Sequence, residues 1–145
     1  MQLRRTATLE RGGFLLEALV ALLIFSFGLL AMAGLQTRAA RHVNEAQYRE
    51  EAIDLVHATF ATMRAMDPAS IAARFDAAAN GEGWRALMSG AKRLPGVTDG
   101  VNVPTLTISD GPSAGSRRIS LSVFWQAPGD STPHAYEATT VVGAR

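Results

Sequence analysis

The run Ala18–Leu35, ALVALLIFSFGLLAMAGL, contains eighteen residues without a charge. Phe14, Leu15 and Leu16 extend it to about the length of helix that crosses a bilayer. A chain carrying such a segment must hide it in lipid, in another protein or in a core of its own. A cleaved secretory signal is the first alternative, and Ala31-Met32-Ala33 offers an A-x-A-like cut site. Two features weigh against it: the apolar stretch is longer than a typical signal core, and an acidic residue, Glu17, stands at its near edge. Arg4, Arg5 and Arg11 precede the run against a single Glu10. The positive-inside bias therefore predicts a cytoplasmic N-terminus, with the chain beyond about residue 40 exported.

Glu17 is the costly residue in this arrangement. A carboxylate at a bilayer centre costs roughly 2.5–3.5 kcal/mol, and less near an edge, where it can snorkel. It must therefore reach the headgroups or meet a cation.

The residues Arg11-Gly12-Gly13-Phe14-Leu15-Leu16-Glu17, followed by the apolar helix, resemble the class III signal of type IV pilins and related pseudopilins. That signal combines a short basic leader, a glycine at the cut, a glutamate a few residues on and a hydrophobic helix. The resemblance implies that a prepilin peptidase on the cytoplasmic face cuts after the glycine and methylates the new N-terminus. It also implies that Glu17 pairs with the N-terminal amine of a neighbouring subunit during assembly. Two glycines leave two places for the cut. Cleavage between Gly12 and Gly13 methylates Gly13 and makes Glu17 the fifth residue of the mature chain, which is the family pattern. Cleavage between Gly13 and Phe14 methylates Phe14, a more usual first residue, but shifts Glu17 one place, about 100° round the helix. Removing residues 1–12 takes away three arginines and one glutamate. The formal charge changes from +1 to −1, with 11 basic and 12 acidic residues left.

Beyond Leu35 no Gly or Pro occurs until Pro68, so the helix is predicted to continue, with Asp67 and Pro68 as its stop. From residue 14 to 66 it would measure about 80 Å at 1.5 Å per residue. Ala39, Val43, Ala46, Ile53, Val56, Phe60 and Met63 follow three- and four-residue steps, which marks one face for packing. Gly28 and Gly34 weaken the first half, where many major pilins carry a proline that this chain lacks. One or two short helices are expected, at Ala69–Ala79 and Trp84–Lys92, separated by Asn80-Gly81-Glu82-Gly83. Strands are expected at Val103–Ser109, Ile119–Gln126 and Ala135–Val142. Ile119, Leu121, Val123 and Trp125 alternate with Ser120, Ser122 and Phe124, so one face is buried.

The expected fold class is α+β: a long N-terminal helix, half membrane and half amphipathic, packed on an antiparallel sheet of three or four strands. The segments are a leader at 1–12, a transmembrane half-helix at 13–35, an amphipathic half-helix at 36–66 and a periplasmic globular region at 67–145. No internal repeat is visible. This order is similar to the pilin architecture over the whole chain. Gly28-Leu29-Leu30, Ala33-Gly34-Leu35-Gln36, the Trp84 helix leading to Leu94-Pro95-Gly96, and Val123-Phe124-Trp125-Gln126 look like PilV-type minor pilins. That resemblance implies a low-copy subunit of a tip or initiation complex. Its implied partners are PilW-, PilX- and FimU-like minor pilins, the major pilin and the inner-membrane assembly platform. A minor pseudopilin of a type II secretion system follows the same logic and stays open, as does a signal-anchored periplasmic binding or enzymatic domain.

Enzyme chemistry finds little support. With no cysteine, thiolate nucleophiles, zinc-cysteine sites and the C-terminal disulfide loop of many pilins are excluded. His42, His57 and His134 show no metal-ligand spacing. Asp54 and His57 lie a helical turn apart, a spacing common on any exposed face. Gly81-Glu82-Gly83 lacks the third glycine of a dinucleotide fingerprint. Trp84 and Trp125 are expected in the core, and Arg117-Arg118 in solvent. A near-neutral chain has no footprint for nucleic acid, so the expectation is no catalytic site, no cofactor, no metal and no nucleic-acid partner.

Overall fold

A computed structural model describes residues 11–143, and residues 1–10 of the expected leader 1–12, with Arg4, Arg5 and Glu10, lie outside the described residues. The elements in order are α1 (Arg11–Arg64), α2 (Pro68–Arg74), α3 (Glu82–Ala91), β1 (Thr105–Asp110), β2 (Arg117–Trp125) and β3 (His134–Val142). The chain divides into two units, residues 1–43 and 44–145. The first contains the apolar part of α1.

In the second unit the three strands form one antiparallel sheet in the order β1-β2-β3. Leu106 lies opposite Leu121 and Ile108 opposite Ile119, while Val123 lies opposite Tyr136. The alternation read along β2 is obeyed: Ile119, Leu121, Val123 and Trp125 are buried and the residues between them are not. They share a core with Val56, Phe60 and Met63 of α1, Ile71 and Phe75, Leu87 and Ala91 of α3, then Leu94 and Val97. This places the unit in the α+β class, with helices grouped on a small antiparallel sheet.

The stripe on α1 needs correction. Ala46 is exposed and Ile53 only half-buried, whereas Ala52 and Thr59 are buried and Tyr48 packs on the core. The line facing the core thus runs from the partly buried Tyr48 through Ala52, Val56, Thr59/Phe60 and Met63, in steps of three and four that pass one position away from Ile53. Thr59 satisfies its hydroxyl by donating to the Leu55 carbonyl at 2.7 Å. The helix stops at Arg64, just before the Asp67-Pro68 signal. Asp67 then caps α2 by accepting from the Ala69 N–H at 3.1 Å, with Pro68 in the first turn.

α2 is shorter than the expected Ala69–Ala79. The Asp76 carboxylate accepts from the N–H groups of Ala78 and Ala79 at 2.8 and 3.2 Å, which turns the chain, and Asn80 follows at φ 52°. α3 begins before Trp84, with Gly83 inside it. A Cβ on Gly83 would lie 2.6 Å from the Phe75 ring, so the glycine is required for the approach of α3 to that ring. Gly96, at φ 73°, turns the chain after Leu94-Pro95, and Pro95 accepts from the Gln126 N–H at 2.8 Å, anchoring the turn to the end of β2.

Leu121 is fully buried at the centre of β2. Leu121→Ala is expected to destabilise this unit by about 2–5 kcal/mol, through lost transfer energy and a cavity. The thermal midpoint of the full chain in detergent should fall by roughly 10 °C or more, given about 4–8 °C per kcal/mol for a unit of this size. Thr107→Ala, on the exposed face of β1, should leave it within about 0.5 kcal/mol. Equal midpoints for the two variants would contradict the placement of the core.

Candidate functional site: an exposed apolar helix with one carboxylate

In the first unit, Gly13–Gln36 is a helical stretch of 24 residues whose most apolar 18-residue window has a mean hydropathy of 2.5, with none of that window buried. It is long and apolar enough to span a membrane. Phe14, Leu15, Leu16, Leu19, Leu22, Ile24, Phe25 and Phe27 are each more than 60% exposed, so the segment finds no cover among the described residues. Exposed apolar surface of this extent marks a lipid-facing or protein-docking face. Ser26 donates to the Leu22 carbonyl at 2.7 Å, which satisfies the hydroxyl inside the helix and removes its objection to an apolar surrounding.

Glu17 stands exposed on this helix, and no described residue pairs with it. Helical spacing puts Gly13 four residues before it and Ala21 four after, with Ile24, Gly28, Ala31 and Leu35 further along the same face. The carboxylate therefore sits on the face richest in small residues. A Cβ built on Gly13, Gly28 or Gly34 would meet nothing within 4 Å, so none of these glycines is needed for packing within the chain. Small residues on an apolar helix let a second helix come close. The helix remains regular through Gly28 and Gly34.

Of the predicted site residues, the structure puts Gly12, Gly13, Phe14 and Glu17 together at the start of α1. Phe14 is 72% exposed.

Other candidates fall into structural roles. His42, Asp54 and His57 are exposed, and among the described residues no group of His, Asp and Glu could hold a metal ion. Trp125 is buried, as expected; its indole stacks on His134, with centroids 5.7 Å apart and planes at 18°. Both nitrogens of that imidazole face carboxylates: Nε2 lies 3.0 Å from Asp130 and Nδ1 3.7 Å from Glu45 on α1. Sequence reading missed this cluster, since its members are distant along the chain. Trp84 is half-buried against the core. Arg117 is not simply solvated: it pairs with Asp110 and closes the β1–β2 hairpin, while Arg118 is exposed.

No known protein family, no curated protein and no solved structure matches the chain.

Proposed function

We infer that this chain is a minor subunit of a type IV pilus, a PilV-type minor pilin that co-assembles with other pilins and carries no chemistry of its own. The observation that carries this reading is the Glu17 carboxylate, four residues after Gly13, exposed on an apolar helix and without a partner or cover among the described residues. A membrane anchor alone has no use for that charge. A subunit that leaves the bilayer for a filament has one, because a cation from its neighbour can take the carboxylate while apolar helices replace lipid.

In this mechanism the basic leader holds the N-terminus on the cytoplasmic side until a prepilin peptidase removes it and methylates Gly13, or Phe14 if the cut falls one residue later. The chain waits in the inner membrane with residues 44–145 in the periplasm. The assembly platform then passes it to the growing filament. There Glu17 meets the N-terminal amine of an adjacent pilin, and a charge-assisted contact in a low-dielectric surrounding offsets its desolvation. The small-residue face around Glu17 supports close helix contact at that point. A tip or initiation complex of minor pilins is the place proposed for it.

The deciding measurement is the intact mass and first residue of the membrane-extracted protein, from cells with and without their prepilin peptidase. The expected result is a chain that starts at Gly13 or Phe14, carries one extra methyl group, and stays full-length without the peptidase. A full-length chain in both strains would reduce it to a plain membrane anchor.

A further inference from the structure

His134, the first residue of β3, is held on three sides. The indole of the buried Trp125 stacks on its imidazole and fixes the plane of the ring. Nε2 then lies 3.0 Å from the Asp130 carboxylate, and Nδ1 lies 3.7 Å from that of Glu45, within ion-pair range. Asp130 is itself mounted on the β2–β3 loop: its N–H donates to the Ala127 carbonyl at 3.0 Å, and its carbonyl accepts from Gln126 Nε2 at 2.8 Å. Trp125, Asp130 and His134 thus form one fixed arm, and Glu45 alone comes from another element, α1.

The two carboxylate contacts differ in kind. A neutral imidazole carries one N–H and one lone pair, so it can satisfy one carboxylate and must present its lone pair to the other. The closer contact decides which. At 3.0 Å the hydrogen stays on Nε2, towards Asp130, and the Nδ1 lone pair is left facing Glu45. Only the imidazolium has a second N–H to offer, so the Glu45 contact is the one that depends on the proton. Among the described residues Glu45 has no other ion pair; His42 and Arg49, one turn to either side of it on α1, lie beyond ion-pair reach. The titratable groups that α1 and β3 turn towards the core here are the phenols of Tyr48 and Tyr136.

We propose that His134 is a proton-operated clamp between the sheet and α1: protonation closes the His134–Glu45 contact, and deprotonation opens it. Imidazole is the side chain whose charge ordinarily changes between about pH 5 and 8. The contact is therefore present on the acid side of that range and lost as the pH rises through it. Tyr48 is the first residue of α1 to pack on the core, so opening moves the first tie from Glu45 to Tyr48, about 4.5 Å along the helix axis. Nearly one more turn of α1 is then free of the globular unit. The clamp stands on the fold alone; on the export proposed above, it answers to the acidity outside the cytoplasm.

Amide hydrogen exchange of the full-length chain in detergent tests this, with rates corrected for the intrinsic pH dependence of exchange. The protection of residues 45–49, taken relative to that of β2 in the core, should fall about two- to fivefold between about pH 5.5 and about pH 8, the range expected of a partly exposed ion pair. Glu45→Gln and His134→Gln should each abolish this fall, and His42→Gln should keep it. No fall in the wild-type chain overturns the proposal, as does a fall that survives His134→Gln or vanishes with His42→Gln. Should His134→Gln lose the protection of β2, the side-chain 15N resonances of His134 decide. At the wild-type midpoint, the ratio of imidazolium to imidazole should be about two- to fivefold lower in Glu45→Gln, and an unchanged ratio overturns the clamp.

Discussion

Glu17→Ala is expected to lower the amount of this chain in sheared filaments by about ten- to a hundredfold, with its leader removed normally. A charge-assisted hydrogen bond is worth about 1.5–3 kcal/mol, and more where water is excluded, which converts to one to two orders of magnitude in an equilibrium. Three controls separate this loss from trivial causes. The alanine variant inserts into a bilayer at least as well as the parent, because a costly carboxylate has gone, so its membrane level should not fall. Glu17 belongs to residues 1–43 and the core to residues 44–145, so the thermal midpoint of the latter should not move. Glu17→Gln keeps the shape and removes the charge; it should lose nearly as much as alanine if the partner is a cation. Filaments with wild-type levels of the alanine variant would remove the pairing argument and leave Glu17 an interfacial residue without a role.

The chain shows its organisation clearly where a residue's environment is decided within its own segment. Eighteen uncharged residues predict an apolar helix wherever it ends up, and α1 contains them all. β2 was legible for a similar reason: its alternation is uninterrupted, and the expected and observed buried residues are the same four. Ends were read less well, each for a local chemical cause. β1 begins at Thr105 and not Val103, because Pro104 has no N–H to give to a ladder. β3 begins at His134, one residue earlier than expected, where the imidazole is held by the indole of Trp125 and the carboxylate of Asp130.

The stripe on α1 shows a different limit. Ile53 and Ala52 are adjacent in sequence and about 100° apart round the helix, and hydropathy favours the isoleucine. Which of them is buried depends on the elements that cover α1, and Gly90 illustrates the crowding there, since a Cβ on it would run into a methyl of the neighbouring Leu55. Periodicity therefore located the helix but not the rotation of its buried face. In the candidate site the balance reverses. Gly12, Gly13, Phe14 and Glu17 could all be picked out from the sequence, because their meaning lies in spacing along one helix. Exposure added what spacing could not: among the described residues, none pairs with that carboxylate or covers that surface.

Replacing both Gly12 and Gly13 with leucine should abolish maturation, giving a full-length, unmethylated chain and none in sheared filaments. A structural loss of this size would normally raise the suspicion of misfolding, but a side chain at Gly13 meets open space, and leucine is a better helix former than glycine by about 0.8 kcal/mol. Failure must then arise at the peptidase, whose active site has to approach the backbone where a side chain now stands. The single variants distinguish the two possible cuts. If the bond cut is Gly12–Gly13, Gly12→Leu should block processing, while Gly13→Leu yields a chain beginning with a methylated leucine. If it is Gly13–Phe14, Gly13→Leu is the blocking change and Gly12→Leu is processed to Phe14. Only the first outcome places Glu17 fifth, in helical register with the amine of a neighbour cut in the same way. Continued removal of the leader from the double variant would show that neither glycine marks the site, and the assembly mechanism built on Glu17 would lose its starting point.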